Sequence, residues 1–230
     1  GINTEAVAHC SDVPTGTAII LVDIHGQNSI VVSPGANALV KKTDVENAKN
    51  LFKPGNILLL QMEIPLGTVI FAAQKAKESG MQVILNPAPA SKLPASLLKN
   101  IDLLILNETE MEIIIGHKWN EEIDPLNPIE SFFNKGVTTV ILTLGAQGAR
   151  FFSRNQQFFQ PAFTIQAIDT TAAGDAFVGA YAVALSEEFS SEESMRFACA
   201  AGALAATQLG AQPSLPTKEV LNSFLEKRES

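Results

Sequence analysis

ILLLQMEIPLGTVIFAAQKAKESGMQVILN, residues 57–86, decides the fold. It opens on a strand at 57–62 led by the apolar run Ile57-Leu-Leu-Leu60, passes into a helical pattern over 66–79 that stops at Gly80, and closes on a second strand at 82–86 built on Val83-Ile-Leu85. Short runs without polar alternation belong to strands buried on both faces, and a helix between two such strands is the crossover that parallel pairing needs. Glycine ends the helix because it alone enters the left-handed conformation without a steric cost. The alternation continues with a strand at 102–106, a helix at 108–115 ended by Gly116, a short helix at 129–134 stopped by Gly136, and a strand at 137–143. Repeated βα units predict the α/β class: a three-layer, doubly wound, mostly parallel sheet covered by helices on both faces.

The flanks of this block differ from it. Upstream, a strand at 17–23, the turn His25-Gly-Gln-Asn28 and a returning strand at 29–32 form a hairpin. Thr43-Asp-Val-Glu46 has capping-box spacing and predicts the start of a short helix. Residues 86–90, Asn-Pro-Ala-Pro-Ala, are a proline-rich connection. Downstream, 147–153 and 157–166 are expected as antiparallel strands at a sheet edge, followed by helices at 174–186, 192–209 and 218–227. The second of these is rich in small residues (Ala198, Ala200, Ala201, Gly202, Ala203, Ala205, Ala206) and admits close approach of a neighbouring helix or of a flat ligand. No internal repeat or domain linker interrupts the 230 residues, which suit one domain with one sizeable core.

Composition narrows the partners. Hydrophobic residues make up 46% and charged residues 17%, which excludes a disordered chain. The net charge of -8 and the lack of a basic stripe argue against nucleic-acid binding; Lys41-Lys42 and Lys227-Arg228 are isolated pairs. A phosphate bound here is therefore expected on backbone amides and a metal ion. Two cysteines far apart, Cys10 and Cys199, imply no disulfide framework, so a reducing cytoplasm is the expected compartment. The apolar runs are too short to span a bilayer, no secretory pattern opens the chain, and no membrane partner is expected. The first residue is Gly1 rather than Met, which leads us to expect preceding sequence.

The chemistry concentrates in Asp169-Thr-Thr-Ala-Ala-Gly-Asp175, a small-residue turn leading into an apolar helix. Helix amino ends carry unpaired N–H groups and the positive end of the helix dipole, and so attract anions. With Ala172, Ala173 and Gly174 a phosphate approaches the backbone closely, and Asp175 beside it suits a proton acceptor for a hydroxyl attacking phosphorus. The alternative is an Asp that merely caps a helix. Other polar groups follow strands at the carboxyl ends where ligands gather in open parallel sheets: Asn86, Asn107-Glu-Thr-Glu110 and Thr143-Leu-Gly-Ala-Gln-Gly148. Asn107 and Glu110 either orient water around Mg²⁺ or form a capping box. Thr143, Gly145 and Gly148 either let the backbone pass close to a nucleotide or make an ordinary glycine turn. The chain has neither G-x-x-x-x-G-K-[ST] nor G-x-G-x-x-G, which disfavours a P-loop enzyme and a dinucleotide-dependent oxidoreductase. His9, His25 and His117 have no metal-ligand spacing; Cys199 is expected as a packed residue rather than a nucleophile, and Trp119 as a partly exposed aromatic.

In order, and over essentially the whole chain, these segments resemble the ribokinase (PfkB-type) carbohydrate kinase family. Asp169-Thr-Thr-Ala-Ala-Gly-Asp175 is similar to its C-terminal signature, Asn107-Glu-Thr-Glu110 to its N-x-x-E motif, and Thr143-Leu-Gly-Ala-Gln-Gly148 to its nucleotide-binding turn. Pro14-Thr-Gly16, Gly35-Ala-Asn37, Asn86-Pro-Ala-Pro-Ala90 and Gly210-Ala-Gln-Pro-Ser214 are similar to ribokinases within that family. The resemblance implies a ribokinase-like fold with a partial β-lid hairpin over 17–32. It implies phosphorylation of D-ribose by ATP to ribose 5-phosphate, or else of another sugar or a nucleoside (deoxyribose, a fructose-type sugar). A non-catalytic nucleotide-binding fragment is the alternative from a different class.

By the same resemblance, Asp175 is the general base and Ala172, Ala173 and Gly174 form the anion hole. ATP is bound by Asn107, Thr143, Leu144, Gly145, Ala146, Gln147, Gly148, Gly174 and Asp175, with Cys199 flanking the adenine. Glu63 contacts the sugar, Glu110 reaches Mg²⁺ through water, and an activating K⁺ is held by Asp169, Thr171, Ala205, Gln208, Gly210 and Ser214. The complete protein is expected to be a homodimer through its lid. Ala172 stands where many members carry Gly; the family's initial strand and sugar-binding loop have no counterpart in these residues.

Overall fold

The computed structural model describes residues 2–22, 28–119 and 127–228. In chain order it contains β1 (Thr17–Val22), β2 (Asn28–Ser33), α1 (Lys42–Asn47), β3 (Ile57–Leu60), α2 (Leu66–Glu78), β4 (Gln82–Leu85), α3 (Ala95–Leu98), β5 (Leu103–Asn107), α4 (Glu108–Ile115), α5 (Asn127–Asn134), β6 (Thr139–Thr143), β7 (Gly148–Ser153), β8 (Gln157–Pro161), α6 (Ala173–Ser186), α7 (Ser191–Ala205) and α8 (Lys218–Glu226). A six-stranded sheet runs β3-β4-β5-β6-β7-β8. The first four strands are parallel, and β7 and β8 add to them antiparallel. β1 and β2 pair antiparallel as a separate hairpin, from Thr17 opposite Ser33 to Val22 opposite Asn28. The turn expected at 25–28 lies largely outside the described residues.

Alternation along the strands builds two cores. Leu104 and Leu106 join Val83, Leu85, Val140 and Leu142 on one face, under Val69, Ala72 and Ala76 of α2, Leu97 and Leu98 of α3, Met111 of α4 and Phe132 of α5. Leu103, Ile105, Ile84 and Ile141 point the other way, onto Phe177, Val178 and Tyr181 of α6 and Met195, Ala198 and Cys199 of α7. The sheet is thus covered on both faces, and its inner strands are apolar through Val83-Ile-Leu85, Leu103-Leu-Ile-Leu106 and Val140-Ile-Leu142 because neither face meets water there. The small residues of α7 serve a helix–helix contact: a Cβ on Gly202 would stand 3.1 Å from the carbonyl oxygen of Ala173 in α6. Trp119 is half-buried against the first core. Among the described residues no helix is long and apolar enough to cross a membrane.

Several element ends differ from the sequence expectation. α1 is started by Asp44, whose carboxylate accepts the Lys41 N–H at 2.7 Å, so the box is not formed by Thr43 and Glu46. α7 stops at Ala205 rather than at 209, since the Thr207 and Gln208 amides turn back three residues, to Leu204 and Ala205. β8 ends at Pro161 rather than at 166: proline has no N–H for the ladder, and the Ala162 N–H goes to the Gln147 carbonyl at 3.0 Å. β3 ends at Leu60, because the Met62 N–H bonds the Ala88 carbonyl.

Two glycines in the turn between β6 and β7 have different burdens. Gly148 has φ 127°, and a Cβ there would stand 2.1 Å from the Gln160 carbonyl oxygen. Gly145 has φ 54° with nothing within 4 Å of a Cβ. Gly148→Ala is expected to cost about 3 kcal/mol of folding stability through strain and overlap. Gly145→Ala is expected to cost about 1 kcal/mol from the left-handed backbone alone. Urea unfolding of the two variants checks both values; equal midpoints would contradict this reading of the turn.

Candidate active site

Parallel strands deliver their carboxyl ends to one edge of the sheet, and the polar residues foreseen there are gathered at it. Asn107 ends β5 and lies in register with Thr143, which ends β6. Asn107 is also the N-cap of α4. Its Oδ1 accepts the Glu110 N–H at 2.8 Å, and the Glu110 carboxylate accepts the Asn107 N–H at 2.8 Å. The capping box is therefore formed. It leaves the second Glu110 carboxylate oxygen without a protein partner among the described residues. Asn86, at the end of β4, donates its side-chain amide to the Ile105 carbonyl at 3.0 Å and ties the neighbouring strand end in place.

α6 brings its amino end to the same place. Ala172 precedes its first turn and gives no side-chain cap. The Ala176 N–H closes the first helical bond to the Ala172 carbonyl at 2.9 Å. The Ala173 N–H turns back to the Thr170 carbonyl at 3.2 Å, so it is not among the free amides, contrary to the expectation for it. The N–H groups of Ala172, Gly174 and Asp175 have no hydrogen-bond partner among the described residues. The Ala172 methyl is buried, and nothing lies within 4 Å of a Cβ built on Gly174, so what faces outward there is bare backbone. An uncapped helix start of this kind accepts an anion.

Two carboxylates converge on this cradle from separate helices. Asp175, in the first turn of α6, is open at its tip, yet the protein around it withdraws enough water to push its pKa up. Glu110, half-buried, is raised by burial, with a smaller push from the negative charge of Asp175 and an opposing pull from the Asn107 N–H. The charge of Asp175 is thus felt at Glu110, on a different helix. A raised pKa brings a carboxylate closer to the range in which it takes and holds a proton during catalysis.

The segment before α6 is fastened to the segment after α7. Asp169 Oδ1 accepts the Thr171 N–H at 3.0 Å and the Thr171 hydroxyl at 2.5 Å, and its Oδ2 accepts the Gly210 N–H at 2.9 Å. The Ile168 and Asp169 N–H groups share the Ala206 carbonyl at 2.7 and 3.2 Å. The Thr171 hydroxyl, the Gly210 N–H and the Thr171 N–H hold the Asp169 carboxyl below its ordinary range. Ala205 and Ser214 are buried beside this junction and Gln208 and Gly210 are exposed; the Ser214 hydroxyl donates to the Ala211 carbonyl at 2.7 Å. Sequence reasoning named the Asp169, Thr171, Ala205, Gln208, Gly210 and Ser214 set but missed Ala206, whose role lies in a carbonyl common to every residue type.

The other expected residues are distributed around this centre. Gly145, Ala146 and Gln147 are exposed in a 3-10 turn after β6, while Leu144 is buried and its N–H bonds the Gly148 carbonyl at 2.8 Å. Thr143 is half-buried, with its hydroxyl 3.5 Å from the Leu106 carbonyl. Glu63 is exposed just after β3, two strands from β5. Cys199 is packed in the second core and burial pushes its thiol up to about 12, which removes it as a nucleophile. The His117 ring meets the Lys118 carbonyl at 3.0 Å on the surface. Among the described residues no three His, Cys, Asp or Glu side chains gather around one point.

Comparison with known proteins identifies the family of the chain. The family model described as pfkB family carbohydrate kinase matches residues 1–218. A ribokinase of Haemophilus influenzae is 42% identical over 226 residues, covering 98% of this chain and 74% of the relative. A deoxyribokinase of Salmonella typhi is 35% identical over 230 residues, covering all of this chain and 75% of the relative. The structure of Arabidopsis thaliana ribokinase complexed with ribose and ATP superimposes with a TM-score of 0.82 at 34% identity, covering 94% of this chain and 70% of the other. With its uncapped helix start and its two converging carboxylates at the carboxyl edge of a ribokinase-like sheet, the chain belongs to the pfkB family of carbohydrate kinases.

Proposed function

We propose that this chain carries the ATP-dependent phosphorylation of D-ribose at its primary hydroxyl, giving ribose 5-phosphate and ADP. The observation that carries the proposal is Asp175 beside unpartnered amides, at the start of a helix with no side-chain cap. In the step, the Asp175 carboxylate takes the proton of the sugar hydroxyl as that oxygen bonds to the γ-phosphorus. The bond from the γ-phosphorus to the bridging oxygen of ADP breaks, and ADP leaves with the electron pair. The N–H groups of Ala172, Gly174 and Asp175 stabilise charge on the transferring group, where preorganised donors act most strongly.

The remaining assignments rest on the family motif. Asn107 and the turn from Thr143 to Gly148 line the nucleotide site, with Cys199 on its flank, and Glu63 reaches the sugar. Glu110, with one carboxylate oxygen engaged in the capping box and the other open, suits a Mg²⁺ that arrives with the nucleotide and keeps its water. Carbonyls and the Ser214 hydroxyl near Asp169 suit a weakly hydrated K⁺ better than a transition metal. A homodimer in the cytoplasm is the assembly we propose, supported by the hairpin, on which Ile19, Val31 and Val32 are each more than half exposed. Deoxyribose is the second reading, because the Salmonella typhi deoxyribokinase matches along the whole chain. A sugar panel in a coupled ADP assay separates the two; turnover of deoxyribose well above ribose would overturn the first.

Asp175→Asn is expected to lower kcat by roughly 10²–10⁴ while ATP-analogue binding by calorimetry persists. Its effect on stability has the opposite sign. Because the folded state raises the Asp175 pKa, it holds that proton more tightly than the unfolded chain does; the charged form costs stability, and the cost grows as pH rises through the folded pKa. Asp175→Asn should therefore unfold at the same or higher urea concentration at pH 7. A variant that keeps nearly full turnover would remove Asp175 from the mechanism. Replacing K⁺ by a large organic cation should reduce kcat several-fold, as a steady-state assay reads; unchanged turnover would remove the cation site.

A further inference from the structure

We propose that Asn86 is a positioning residue: its side-chain amide stands in for the backbone donor that Pro87 lacks, and so fixes the end of β5 from which Asn107 and Glu110 are presented. The kinetic part of this proposal rests on the phosphoryl-transfer reading above; the structural part does not. Successive residues of an inner strand direct their backbone groups to opposite neighbours. The Gln82 and Asn86 N–H groups go to the Asn56 and Leu60 carbonyls, on the β3 side, at 3.0 and 2.9 Å. The Val83 carbonyl accepts the Asp102 N–H at 2.9 Å, on the β5 side. After Leu85, the next donor due toward β5 belongs to residue 87, and proline has none. At this point the Asn86 side chain donates to the Ile105 carbonyl at 3.0 Å.

Three features make this bond consequential. Pairing of β4 with β5 runs through Ile84 with Leu103 and Leu85 with Leu104 and stops there, whereas β5 stays in register with β6 as far as Asn107 opposite Thr143. The last stretch of β5 is therefore held by β6 on one side and by Asn86 on the other. Ile105 is buried, so a carbonyl deprived of that donor is not readily supplied by water. Asn107 follows two residues later and, through its capping box with Glu110, passes the direction of β5 on to α4. Toward β3, Asn86 bonds through its backbone N–H, which no side-chain substitution removes. The side chain thus acts on the Asn107 end of the site and leaves the Glu63 end alone. A misplacement of about 1 Å in groups that hold a reactant costs about a hundredfold in rate.

The test compares Asn86→Ala, Pro87→Ala and the double variant with the wild-type chain. Amide hydrogen exchange, measured without substrate, is expected to quicken about tenfold at Asn107 and Glu110 in Asn86→Ala, with β6 and β7 as protected as in wild type. Pro87→Ala alone keeps the Asn86 bond and should behave as wild type at both amides. In the double variant the alanine at 87 supplies a backbone N–H on the β5 side, and exchange at both amides should return to within about threefold of wild type. In turnover, Asn86→Ala should lower kcat about tenfold or more while the KM for ribose stays within about twofold, and the double variant should recover most of the loss. Unchanged exchange at Asn107 and Glu110 in Asn86→Ala would overturn the proposal, as would a rise spread evenly over β6 and β7, or a double variant no better than the single one. A loss carried by the KM for ribose with kcat intact would also overturn it. Exchange decides the anchor independently; a wild-type chain that fails to phosphorylate ribose would instead sink the functional reading.

Discussion

The uncapped amino end of α6, a helix seated on β5 and β6 through its apolar face, is the constraint on which the rest of the site depends. Its position is set by burial far from the chemistry. Phe177, Val178 and Tyr181 seat α6 on Leu103, Ile105 and Ile141 of the sheet, and Met195 and Ala198 of α7 fill the same core. Each such side chain contributes on the order of 1.5–3 kcal/mol by leaving water. A single cap hydrogen bond contributes about 1 kcal/mol. The core can therefore hold α6 in place without the cap, which leaves the first-turn amides available to a ligand. Sheet geometry does the rest: parallel strands end on one side, so Asn107 and Thr143 stand in register at one edge.

Charge follows the same logic. The chain carries a net charge of -8, and the cradle consists of backbone dipoles rather than lysine or arginine side chains. A helix amino end ordinarily favours the charged form of a nearby carboxylate and so lowers its pKa. At Asp175 burial outweighs that pull and the pKa moves up. At Glu110 burial also raises the pKa, with a smaller push from the charge of Asp175. Both effects are relieved when positive charge or a protonating reaction enters the space between them.

The legible part of the molecule is the part governed by local rules. The parallel block was readable because 57–60, 83–85, 103–106 and 140–142 are apolar at every position and glycines at 80, 116 and 136 follow the intervening helices, each at positive φ. The motif at 169–175 was readable because few turns need Ala, Ala and Gly in succession before an aspartate. Ends set by tertiary partners were not readable. Nothing in the string shows that Ala206 would surrender its carbonyl to Ile168 and Asp169, or that α7 would stop at Ala205. The free amides were misjudged by one residue at Ala173, because the acceptor for its N–H is the Thr170 carbonyl, a backbone group without a sequence signature. Backbone donors and acceptors are common to nearly every residue, so their pairing appears only with the fold.

Asn107 and Glu110 show why capping and ligand roles need not compete. The box consumes the Asn107 Oδ1 and one Glu110 oxygen, and in doing so fixes the rotamer and direction of both side chains. A free glutamate on an exposed turn loses up to about 1.5–2 kcal/mol of rotamer freedom when it is ordered by a ligand. Here much of that ordering is already done by two 2.8 Å hydrogen bonds before any ligand arrives. The remaining carboxylate oxygen is left without a protein partner among the described residues, on a half-buried side chain that feels the charge of Asp175. The capping contact thus orders both side chains in advance, and the ligand role we propose for Glu110 would draw on the same three-residue spacing that starts the helix.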